Sequence, residues 1–211
     1  QKTAYEIYQC DWSSDVCSSD LGSRCEIPAS GGIAHFAEHM FFKGTERRPT
    51  ARDISAEIDG IGGEFNAFTG KELTAYYVKC AAADGGTALD VLGDMLLHSR
   101  FDADEIEREK GVIVEEINMY TDTPRDLVGQ VYDTARYGDT PIGRPIIGTK
   151  DTVRAATRET FLDYLGTWYR PERMAIGIGG RVTDALLDEV RARFGDLPAD
   201  PTPALPETAV P

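Results

Sequence analysis

The whole chain contains three histidines, His35, His39 and His98, and two of them fall in the run His35-Phe36-Ala37-Glu38-His39. On a helix, positions i and i+4 lie on one face, one turn apart, so both imidazoles can reach a single metal ion. Zinc takes imidazole nitrogen at ~2.0–2.1 Å. Glu38 projects beside them, within reach of a metal-bound water, where a general base for hydrolysis is needed. The bland alternative is two surface histidines flanking a solvated glutamate. A catalytic zinc usually takes three protein ligands and leaves its fourth place to water, so a third ligand must come from elsewhere. Residues 104–120 offer Glu105, Glu107, Glu109, Glu115 and Glu116. Most of these read as a solvated face. Glu109 and Glu116 share one helical face two turns apart, whereas Glu115 points ~100° away. His98, near the end of a predicted helix, and Cys80, at the end of a predicted strand, read as structural.

Helices and strands must hold these groups together. Residues 31–43, GGIAHFAEHMFFK, read as a helix opened by glycines and closed before Gly44. Residues 50–60 form a second, with Thr50 as N-cap and Ile54 and Ile58 on one face. Gly62-Gly63 breaks the chain, and residues 64–68 and 73–80 read as strands of a hairpin around Thr69-Gly70-Lys71. Residues 84–99 are predicted to be an amphipathic helix with Leu89, Leu92, Leu96 and Leu97 inward. Asp102 or Asp104 caps the next helix, which runs to about Tyr120 with Ile106, Val112, Ile113 and Ile117 as its apolar positions. Pro124 opens a helix to about Tyr137. Residues 139–150 are a Gly/Pro-rich loop, followed by a helix at 157–168, a strand at 174–178 and a helix at 183–194. Beyond Gly195, Pro198, Pro201, Pro203, Pro206 and Pro211 mark an extended linker. This order predicts an α+β fold, with helices packed on one face of a mostly antiparallel, mixed sheet. Three visible strands make a thin sheet, so further strands are expected upstream of Gly22.

The chain has 211 residues, 41% hydrophobic and 27% charged, enough for one sizeable domain. No apolar run approaches the ~20 residues that span a bilayer, so no membrane association is expected. A formal net charge of -14 disfavours contact with phosphate backbones, so nucleic acid is not expected as a partner. Residues 1–21 lack useful periodicity. Read back into codons, residues 1–7 and 11–21 match the two parts of a common sequencing-library primer, with a short index between them. Residues 1–21 are therefore read as translated adapter outside the fold. Residues 22–197 are read as one domain lacking its first strands, and 198–211 as a linker. With the adapter set aside, Cys25 and Cys80 remain without metal-type spacing, which suggests reduced, buried thiols in a reducing compartment.

The stretches GGIAHFAEHMFFKGTERR, GGEFNAFTGKELTAYY and EREKGVIVEEINMYTDTPRDL resemble the pitrilysin, insulinase and mitochondrial processing peptidase family, and within it the bacterial processing-peptidase-like members. The likeness runs from Gly22 to about Pro198. It implies a zinc-dependent endopeptidase half-domain, with Zn2+ held by His35, His39 and Glu116 and with Glu38 as catalytic base. Glu109 matches an acidic residue that orients a histidine ligand. Asn66, Ala67, Phe68 and Thr69 match the edge strand that pairs with an extended peptide substrate. Members also have a second, similar half, fused or as a separate subunit, which is the implied partner beside the peptide. A bacterial cytoplasmic location is expected.

Two other readings compete. One is a non-catalytic homologous subunit, or an inactive fragment that needs a second half-domain. The other is a quorum-signal lyase, which shares H-x-x-E-H but takes a cysteine as third ligand; Cys80 is the only downstream cysteine.

Overall fold

The computed structural model describes residues 7–8, 12–19, 21–199 and 203–204. Five strands form one sheet: β1 (Ile7–Tyr8), β2 (Trp12–Ser19), β3 (Glu64–Thr69), β4 (Thr74–Ala81) and β5 (Met174–Gly179). Their order is β1-β5-β2-β4-β3. β1 runs parallel to β5, and the other pairings are antiparallel. The sheet is therefore mixed and mostly antiparallel, as expected.

Eight helices accompany it among the described residues: α1 (Ile33–Phe41), α2 (Ala51–Gly60), α3 (Gly85–His98), α4 (Ala103–Asp122), α5 (Pro124–Tyr137), α6 (Lys150–Ala155), α7 (Arg158–Trp168) and α8 (Asp184–Phe194). In β4, Thr74, Tyr76, Val78 and Cys80 are buried while Lys79 and Ala81 are exposed. That period-2 pattern marks one covered face. α3 packs on β4 and β2, and α1 and α2 pack on β3. Phe41 links these layers, with its ring 5.1 Å from both Tyr76 of β4 and Phe101, in edge-to-face contacts.

Local chemistry accounts for most helix boundaries. Thr50 and Asp53 form a reciprocal capping box at the start of α2, and Thr157 with Thr160 does the same for α7. Asp102, rather than Asp104, caps α4 by accepting from the backbone N–H of Asp104 and Glu105. α6, opened by a Thr149–Thr152 capping box, was not predicted.

Two expectations are corrected, and one strand was not expected. Within residues 1–21, Trp12–Ser19 forms β2, the central strand, which pairs with β4 over Trp12–Ser19 and with β5 from Ser14 to Ser19, and Leu21 is buried. Strand pairing runs through backbone amides, so a segment without side-chain alternation can still fill the slot between β4 and β5. The described part of 1–21 covers residues 7–8, 12–19 and 21; the remainder lies outside the described residues. In α3, Leu96 and Leu97 are only half-buried, while Val91, Asp94 and Met95 are buried. α2 and α8 flank this helix as well as the sheet, so its covered surface is wider than one stripe. On α4, Val112 is exposed, because the covered stripe is Ile106, Glu109 and Ile113. Of the Pro-rich segment 198–211, only residues 198–199 and 203–204 are described, and the rest of that reading lies outside the described residues.

Candidate metal centre and cleft

α1 is anchored from both ends of its first turn. Gly32, its N-cap, has φ +92, and a Cβ there would lie 2.6 Å from the Ile147 carbonyl oxygen. Only glycine fits such an approach in that conformation. The N-cap offers no side chain, so a remote residue satisfies the first amides. Glu26 accepts from the N–H of Gly32 at 2.7 Å and of Ala34 at 2.8 Å. Burial pushes the Glu26 carboxyl up to about 8, against the pull of those two amides. Ile33, Ala34, Phe36, Ala37, Met40 and Phe41 then pack into the core. This leaves His35, Glu38 and His39 half-buried on the remaining face.

α4 brings the carboxylates. Glu109 lies on its buried stripe, and Glu116 follows two turns later, half-buried. His35 Nε2 stands 3.7 Å from Glu116 Oε1, and His39 Nε2 stands 3.6 Å from Glu116 Oε2. These separations are too long for good hydrogen bonds. They are close to the ~3.3 Å between ligands that share one tetrahedral zinc at ~2.0–2.1 Å. One ligand atom from each of His35, His39 and Glu116 lies within 4.8 Å of the others. Glu109 Oε1 accepts from His39 Nδ1 at 2.9 Å, and Lys43 Nζ holds its other oxygen at 2.6 Å. That bond leaves the His39 Nε2 lone pair facing Glu116, so the donor set fits a zinc ion. Glu115 is exposed and accepts from Asn118 at 3.3 Å. His98 is exposed, and Cys25 and Cys80 are buried and do not belong to this cluster.

The electrostatics suit the same chemistry. Burial, aided by His39, lowers His35 to about 4, which keeps it a neutral imidazole at neutral pH. Burial raises the carboxyls of Glu38 and Glu116. Burial also pushes Glu109 upward, but hydrogen bonds from His39 and Lys43 outweigh it, and the net direction is down. Glu109 therefore stays ionised as an acceptor for His39.

Beside the cluster lies an open edge of the sheet, since among the described residues β3 pairs only with β4. The four residues of the expected substrate strand all sit on β3. Ala67 N–H is taken by the Asn66 side chain at 2.9 Å, Phe68 is exposed, and Thr69 Oγ1 donates to Glu38 Oε2. A cleft of about 340 Å³ opens there, lined among others by His35, Glu38, Phe68, Tyr120, Asp133 and Ile146. α5 and the 139–150 loop thus wall the site. Glu26 and Lys43 carry no local sequence signal, because one acts across a helix end and the other on a residue distant in the chain; the 139–150 loop reads as Gly/Pro-rich, but nothing local places it at the site.

An α+β domain with two helical histidines, a carboxylate on a facing helix and an open sheet edge defines a class: metallohydrolase domains of the inverted H-x-x-E-H type. The family model described as Insulinase (Peptidase family M16) matches residues 16–150, and that described as Peptidase M16 inactive domain matches residues 155–211. The chain belongs to the insulinase family of peptidases. It is 44% identical over 178 residues to the uncharacterized zinc protease YmxG of Bacillus subtilis, covering 84% of this chain and 43% of that protein. It is 40% identical over 184 residues to a probable mitochondrial-processing peptidase subunit beta of Arabidopsis thaliana, covering 87% of this chain and 34% of the relative. The crystal structure of a protease from Helicobacter pylori shares the fold, with a TM-score of 0.87 at 21% identity, over 96% of this chain and 49% of that one. The chain thus spans under half the length of these relatives. Zinc is the metal of this family's proteases, and the donor set here suits it. No helix among the described residues is long and apolar enough to cross a membrane.

Proposed function

We propose that the chain is the catalytic half of a zinc endopeptidase that cleaves extended peptides or unfolded segments. The observation that supports this best is Glu38 standing between the His35–His39–Glu116 cluster and the open edge of β3. A peptide added to that edge would displace the Asn66 side chain from Ala67 N–H and bring a carbonyl towards Glu38. When bound, zinc supplies Lewis acidity and eases deprotonation of water. Glu38 takes the proton of the attacking water on a carboxyl oxygen and returns it to the leaving amine. Its upward shift brings that carboxyl nearer the pH at which such a shuttle works.

Because the chain spans under half of its relatives, we propose that a second homologous half, fused or separate, completes the substrate chamber. The complete ligand set disfavours a purely non-catalytic subunit. We propose a cytoplasmic setting, which the two buried cysteines Cys25 and Cys80, without metal-type spacing, support. Residues 1–21 are proposed to be adapter-derived; recovery of an intact gene encoding them from genomic DNA would refute this. The functional reading is tested by zinc-loaded protein, with and without the rest of the gene product, on an unstructured peptide. Glu38→Gln should lower turnover at least ~100-fold with zinc content unchanged. Unaltered turnover removes Glu38 from the chemistry.

A further inference from the structure

We infer that Thr69 is a positioning residue for Glu38, tying the strand that would meet a peptide to the base that would act on it. The part about the peptide rests on the peptidase reading; the positioning itself rests on geometry. One side-chain hydrogen bond reaches the Glu38 carboxylate among the described residues, and it comes from Thr69 Oγ1. Thr69 is the last residue of β3 and is paired with Thr74 at the first position of β4. Thr74 is fully buried, donates to the Leu21 carbonyl at 3.0 Å, and lies 3.4 Å from Thr69 Oγ1. The Thr69 hydroxyl is therefore backed by a fixed neighbour.

Backbone phase gives Thr69 its second role. Gly70 N–H pairs with the Leu73 carbonyl at 2.8 Å inside the hairpin, whereas Ala67 N–H turns to the Asn66 side chain. Amides alternate in direction along a strand, so those of Ala67 and Thr69 face the free edge. A strand paired there would grip the Thr69 backbone while its hydroxyl holds Glu38 Oε2. Docking would thereby order the base at the moment a scissile bond arrives. A carboxylate with three rotatable bonds otherwise spreads over several rotamers, most of them unproductive.

The test uses the whole chain with 13C-labelled glutamate carboxyls, zinc-free and at one fixed pH. The Glu38 resonance is identified by its loss in Glu38→Gln. Thr69→Val should shift that resonance and Thr69→Ser should restore it; an unmoved resonance in Thr69→Val overturns the inference. With zinc and peptide, Thr69→Val should lower kcat roughly tenfold with KM little changed, the scale of one hydrogen bond to a charged group. A raised KM with kcat intact would make Thr69 a substrate contact only and overturn the positioning role. A wild-type protein that cleaves nothing even with the rest of the gene product present sinks the peptidase reading, and the carboxyl resonance still decides the positioning.

Discussion

His39 Nδ1 donates to Glu109 Oε1 at 2.9 Å, and this bond selects the nitrogen that His39 turns towards Glu116. Lys43 holds the far oxygen of the same carboxylate, so the acceptor has little freedom to rotate away. His35 has no such support, for its Nδ1 is buried without a partner among the described residues. The orientation of His39 therefore rests on Glu109, and that of His35 on the packing around it. Glu109→Ala should weaken zinc binding about 10- to 100-fold, the usual cost of losing such a partner. Competition against a chromophoric chelator measures it, and an unchanged affinity would show that His39 needs no orienting carboxylate.

Glu115 and Glu116 are adjacent in the chain and face different surroundings. Glu116 sits with both histidines, while Glu115 is exposed beside Asn118. Glu116→Gln should empty the site, and Glu115→Gln should leave zinc near one equivalent. Elemental analysis after dialysis separates the two, and full occupancy in Glu116→Gln would reverse the assignment.

Protonation of His35 should set one limb of the pH–stability curve of zinc-free protein. Folded His35 titrates at about 4, against 6.5 for the ordinary side chain. Between those values the unfolded chain binds more protons than the folded one. Stability is therefore full above about pH 6.5 and falls as the pH drops towards 4. The loss is on the order of 3 kcal/mol. Urea unfolding between these limits should show a flatter curve in His35→Gln. Parallel curves would mean that His35 is not held neutral by burial.

Gly148 packs against the start of the metal helix. It has φ +76, and a Cβ there would lie 2.3 Å from the Gly31 carbonyl oxygen. No flexible side chain can yield, since the obstacle is backbone. Gly148→Ala should cost about 1–3 kcal/mol and lower the melting temperature of the zinc-free protein by several degrees. Calorimetry checks it, and wild-type stability would mean that the loop moves away without cost.

Local patterns were legible and long-range pairings were not. The H-x-x-E-H run needed only the helical repeat to place His35 and His39 together, and α1 formed where the glycines and apolar spacing put it. The caps at Thr50 and Thr157 were readable because a capping residue and its partner lie three positions apart. Of the hairpin, both strands were visible from composition and turn residues. β2 was missed: its neighbours β4 and β5 lie far along the chain, and backbone pairing leaves no mark on a segment without alternation. Val112 was assigned to the wrong face, because periodicity could not show that the buried stripe of α4 carries a carboxylate, Glu109, among its apolar residues.

By itself, the sequence determined that two histidines share a helical face with a glutamate between them, and that Glu109 and Glu116 share another. Those are consequences of 3.6 residues per turn, a property of the chain alone. Which of five glutamates meets the histidines was left to tertiary structure, because it depends on how α4 crosses α1. The same holds for Glu26 at the head of α1, for Lys43 behind Glu109 and for Thr69 against Glu38. Each pairs groups whose approach is set by packing of the core, and no local spacing encodes that distance.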